Sequence, residues 1–152
     1  SGFRADWRGV VMGAWSELTV TKVLAAMPTD LNTLYQAWID ANPGKGNRLA
    51  ELTVLFVNTF REAAGANPAC EVDPDPTMVP TVAYHHAMNL IYASLSMEMG
   101  VRLASEVGNL VTQANIWLRM APVADVEMTG SDVGGGSPSY EPWNSCRGGR
   151  VI

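Results

Sequence analysis

Asp73-Pro74-Asp75-Pro76-Thr77-Met78-Val79-Pro80-Thr81-Val82-Ala83-Tyr84-His85-His86-Ala87-Met88-Asn89-Leu90-Ile91-Tyr92-Ala93-Ser94-Leu95-Ser96-Met97-Glu98-Met99-Gly100 is the stretch on which the fold turns. Its first part cannot be helical, because each proline fixes its own φ and pushes the preceding residue towards extended backbone. The part behind it reads as a helix with Pro80 at or near its first turn, where proline is tolerated. Val82, Met88, Ile91, Leu95 and Met99 mark one apolar face; Ala83, Ala87, Leu90 and Ser94 mark a second. A helix apolar on two faces belongs in the middle of a bundle or between subunits. Gly100 is its stop signal.

Downstream, Val107, Leu110, Val111, Ala114, Trp117 and Leu118 recur at helical spacing until Pro122. Upstream, three more helices are expected. The first begins at Ser16-Glu17, carries Leu18, Val20, Val23, Leu24 and Met27, and ends at Pro28. The second starts at Thr29-Asp30 and places Leu31, Leu34, Tyr35, Trp38 and Ile39 on one stripe, up to the turn Asn42-Pro43-Gly44-Lys45-Gly46. The third is capped by Asn47 and runs to about Ala64. Leu49, Leu52, Thr53, Phe56, Val57 and Phe60 form its stripe, widened by Val54 and Leu55, with Arg48, Glu51, Asn58, Arg61 and Glu62 mostly off it. The expectation is an all-α fold, a four- to five-helix bundle over residues 17–122. An N-terminal arm or short helix (1–16) precedes it, and an extended Gly/Pro-rich C-terminal arm (123–152) follows.

The two flanks differ in chemistry. Trp7, Val11 and Trp15 recur every four residues, as on one helix face, although Gly9 and Gly13 weaken such a helix by about 1 kcal/mol each. The tail has no helical period, yet it carries Tyr140, Trp143, Arg147 and Arg150. A glycine-rich tail without a core of its own is expected to be held by another chain, through strand addition or a groove. Tyr140, Trp143, Arg147, Arg150, Trp7 and Trp15 are therefore the candidate partner-binding residues, since Tyr, Trp and Arg are enriched where interfaces concentrate their energy.

The 152 residues suffice for one domain with a true core. Only 16% of them are charged, which leaves surface to be covered by a neighbour, and the net charge of −5 speaks against binding by phosphate neutralisation. Cys70 and Cys146 form no CxxC pair and read as two free thiols. Ser1-Gly2-Phe3-Arg4 shows no signal-peptide pattern and reads as a start whose initiator Met has been trimmed. No apolar run reaches the length needed to span a bilayer.

Reaction chemistry is not signalled. His85 and His86 are adjacent, so on a helix they point about 100° apart and do not chelate together. Glu71, Asp73 and Asp75 lack the glycine turn and the further oxygens of a calcium loop, and read as solvated acids. Neither cysteine has an evident base, and no phosphate loop, nucleophile elbow or dinucleotide fingerprint occurs. Gly134-Gly135-Gly136-Ser137 reads as a linker, and the methionines as adaptable packing. The expectation is no enzyme, no metal and no cofactor.

The run Phe56, Phe60-Arg61-Glu62-Ala63-Ala64, Asn67-Pro68 and Asp73-Pro74-Asp75-Pro76 carries a resemblance. So do Pro80, Ala87, Asn89-Leu90-Ile91, the Met97-Glu98-Met99-Gly100 turn and Trp117-Leu118-Arg119. Over roughly residues 18–122 this layout of helices and breakers resembles the head–tail connector or adaptor (head-completion) proteins of tailed bacteriophages. The Trp-rich N-terminus has no counterpart there. The resemblance implies a virion neck protein: a homo-oligomeric ring, commonly a dodecamer, docked between the portal protein and tail or nozzle proteins. DNA would pass through its lumen without sequence-specific binding. Another helical capsid or filament subunit, or a soluble regulatory bundle, is the alternative.

Overall fold

Apolar periodicity and proline punctuation produce the helices where they are expected. In the computed structural model, which describes residues 14–102 and 104–123, the elements run β1 (Trp15–Glu17), α1 (Val20–Ala26), α2 (Thr29–Ala41), α3 (Arg48–Gly65), β2 (Met78–Pro80), α4 (Tyr84–Glu98) and α5 (Ser105–Met120). Short 3-10 turns precede α3 and α4 and follow α5. The fold is mostly helical, with five helices and one small sheet among the described residues.

α4 is the central element. Ala87, Met88, Leu90, Ile91, Ala93, Leu95 and Ser96 are all buried, so both of its expected faces are used, packed between α3 and α5. Its end is a Schellman motif. Gly100, at φ +74°, lets its own N–H bond Met97 O (3.1 Å) and the Val101 N–H bond Ser96 O (2.9 Å). Across the core, the Phe60 ring of α3 stacks on the Trp117 indole of α5 at 5.4 Å between centroids, and both are fully buried. Truncating either to Ala costs about 3–5 kcal/mol on general grounds.

Buried or half-buried polar side chains tie elements together at two places. Asn67, just past α3, is 3% exposed. Its Nδ2 donates to Ala121 O (2.9 Å) and its Oδ1 accepts from Ala69 N–H (2.9 Å), which ties the end of α3 to the end of α5. Tyr92 of α4 donates its hydroxyl to Val23 O (2.7 Å), one of the last-turn carbonyls of α1 that the helix itself leaves unpartnered.

Several expectations are corrected. Ser16 and Glu17 do not begin a helix. They lie in β1, and α1 starts later, behind Thr19, whose hydroxyl accepts from Lys22 N–H. Pro80 closes β2 and, as expected, lies near the start of α4, one 3-10 turn (Thr81–Ala83) ahead of it. Leu34 leaves the α2 stripe and is exposed, as are Val54 and Leu55 of α3. The expected arms at 1–13 and 124–152 lie outside the described residues.

Candidate interaction surface

The antiparallel pair β1–β2 sets up the surface chemistry. Its register is Trp15↔Pro80, Ser16↔Val79 and Glu17↔Met78. Leu18 N–H bonds Thr77 O (2.8 Å) and Thr81 N–H bonds Ala14 O (3.0 Å). Antiparallel pairs alternate between bonded and non-bonded residues. Ala14, Ser16 and Leu18 therefore face β2, while the main-chain groups of Trp15 and Glu17 face away from it.

Arg61 of α3 organises the region behind the sheet. Its Nη1 donates to Asp75 O (2.7 Å) and Met78 O (3.0 Å), and its Nη2 donates to Asp73 O. Its guanidinium also lies 5.7 Å from the centre of the Trp15 ring, in cation–π range. The crossing strand is stiffened from within. Asp73 Oδ1 accepts from Asp75 N–H (2.8 Å), and Asp75 Oδ1 accepts from Thr77 N–H (2.9 Å) and from the Thr77 hydroxyl (2.7 Å). These are Asx turns, so the acids do structural work beyond being solvated. The Thr77 N–H and then its hydroxyl hold the Asp75 carboxyl below its ordinary range.

Where β1 ends, an apolar groove of about 430 Å³ begins. Leu18, Thr19 and Val20 form one wall, Ala50, Thr53, Val54 and Val57 of α3 the other, and Pro76 and Thr77 close one end. Val54, which lines the groove, is 59% exposed; Leu55, the next residue, is 52% exposed but points about 100° away, on another side of α3. An aliphatic side chain left in water on a concave apolar wall marks a contact surface more than a solvated helix face does.

Of the sequence-derived binding residues, Trp7, Tyr140, Trp143, Arg147 and Arg150 lie outside the described residues. Trp15 is described, and its place differs from the expected helix face. It sits in β1, half-buried, with its indole packed against the core under Arg61. Val54 and Leu55 were readable only as a broad stripe, because a helical period cannot separate a wide core face from a core face with an open groove beside it. The thiol expectation fails at Cys70, which enters a disulfide; Cys146 lies outside the described residues.

The remaining candidates are ordinary. His85 is exposed, with its ring edge-on to Tyr84 at 5.4 Å. His86 is half-buried, and burial, then the neighbouring His85, push its pKa down. No three His, Cys, Asp or Glu among the described residues could hold a metal ion together. At the far end of α4 the Glu98 carboxylate takes both Arg48 Nε (2.8 Å) and Nη2 (2.7 Å), joining the start of α3 to the end of α4. No described helix is long and apolar enough to cross a membrane. No protein-family model, curated protein or solved structure matches the chain.

Proposed function

We propose that this chain is a structural assembly subunit, and specifically a neck adaptor of a tailed-phage virion. In this reading it forms a homo-oligomeric ring between the portal and the tail proteins, through which DNA passes. The observation that carries the assembly reading is the apolar groove with exposed Val54 on its wall, in a chain of which only 16% is charged. Where the groove takes a different surface of the next copy without reciprocal exchange the contact is heterologous, and heterologous contacts close into rings when the rotation permits, whereas reciprocal exchange closes a dimer. The virion role comes from the resemblance in helix layout. A net charge of −5 suits a conduit that must release DNA. A filament subunit is the second reading, since the same contact without closure propagates.

The test is the particle mass of the full chain by sedimentation velocity, with imaging of its symmetry. A closed ring of protomers is the expected result, and Val54→Asp is expected to give a monomer with unchanged helical circular dichroism. A wild-type chain that stays monomeric across the concentration range overturns the assembly reading. An open helical polymer selects the filament.

A further inference from the structure

Asn67 brings two distant parts of the chain to one corner of the bundle. Its Nδ2 donates to Ala121 O (2.9 Å), and its main-chain O accepts from Cys70 N–H (3.0 Å). The last described turn, Ala121–Val123, and Cys70 therefore sit at the same corner. The segment that carries Cys70 doubles back on α3, so that a Cβ on Gly65 would stand 3.0 Å from Val72 Cγ2. Cys70 is half-buried against the core, and its sulfur is in a disulfide.

The cysteine count points to the other sulfur. The sequence holds two cysteines, Cys70 and Cys146, and Cys70 is not free. Cys146 is 76 positions beyond Cys70 but only 23 beyond Val123. In the unfolded chain a bond between the two closes the longer span. In the folded chain the Asn67 corner has already joined Val123 to Cys70, and only the shorter span is left to close. On chain length alone, closing 23 positions rather than 76 is about sixfold more favourable.

We infer that Cys70 is bonded to Cys146 of the same chain, and that this bond is a redox-released staple closing residues 124–145 into a loop at the Asn67 corner. Tyr140 and Trp143 fall inside that loop, and Arg147 and Arg150 just beyond its closure. A dithiol opens the staple by thiol–disulfide exchange. Two electrons and two protons pass to the two cysteines, and the dithiol leaves as a cyclic disulfide. Oxidised glutathione closes it again, taking the same two electrons and two protons and leaving as two reduced molecules. Because the bond is easier to close in the folded chain, it favours folding by the same factor. The staple is independent of the assembly reading.

The measurement is peptide mass mapping of the full-length chain, alkylated without reduction, together with urea titrations of the oxidised and the dithiothreitol-reduced protein. The expected result is one cross-linked peptide holding Cys70 and Cys146 and a single-chain band on a denaturing, non-reducing gel. Reduction is expected to lower the folding equilibrium constant about sixfold. Cys146→Ser is expected to match the reduced wild type and to stop responding to dithiothreitol. An alkylated Cys70, or a bond that joins two copies on the gel, overturns the same-chain pairing, as does a Cys146→Ser chain that still responds to the dithiol. A folding constant unchanged by reduction overturns the staple at the Asn67 corner.

Discussion

Arg61 falls off the apolar stripe of α3 in the sequence, where it reads as a solvent-facing cation. In the fold it gathers the carbonyls of Asp73, Asp75 and Met78 and covers the Trp15 ring, so one planar group joins α3, the crossing segment and β1. Lysine carries the charge but not the plane or the fork. Arg61→Lys is expected to lower stability by about 1.5–3 kcal/mol, the range for hydrogen bonds to a charged group, read as a lower urea midpoint with unchanged slope. An unchanged midpoint would mean that the three carbonyls are equally well served by water. This role was hidden for a physical reason. Its partners lie 12 to 17 positions away and are main-chain atoms, which carry no side-chain signature. The Asp-Pro repeat, in contrast, announced a stiff segment, because proline acts on its own backbone.

At the scale of elements, the helices were legible because their limits are local: Pro28, Pro43, Gly65 and Gly100 stop them without reference to the rest of the chain. The sheet was not. Each strand is three residues long, too short for alternation to show, and each exists only through the other. Contacts between elements are similarly non-local, and the α1–α4 link at Tyr92 is one that can be titrated. Burial, then the nearby Tyr84 charge, raise the Tyr92 pKa from 10.0 to about 12. A raised acid favours the folded state while protonated. Its contribution is thus complete below pH 10 and is lost as pH climbs from there through about 12. Tyr92→Phe is expected to cost about 1 kcal/mol at neutral pH and to remove this part of the alkaline fall. Urea midpoints of both proteins between neutral pH and pH 12 check it, and parallel curves would reject it.

For the whole molecule, the contrast is between a closed core and an open groove on the same helix, α3. Burying aliphatic side chains is insensitive to screening, whereas ion pairs between exposed charges weaken as the Debye length shrinks from about 8 to about 3 Å. Assembly through the Val54 groove should therefore survive 1 M NaCl and be promoted by ammonium sulfate. Dissociation by NaCl alone would assign the contact to charges elsewhere. The candidate surface was only half-readable from sequence: Val54 was visible as apolar, but its place on an open groove depends on how residues 18–20 and 76–77 approach α3. The β1–β2 pairing has a kinetic side as well. Ser16 and Thr81, whose hydroxyls meet at 3.0 Å, are 65 positions apart, so closing that loop waits until the intervening helices have shortened the gap. During synthesis the N-terminal strand emerges first and locks among the last. On the assembly reading proposed above, this order keeps the edge that β1 leaves open among the described residues from forming before the core is in place.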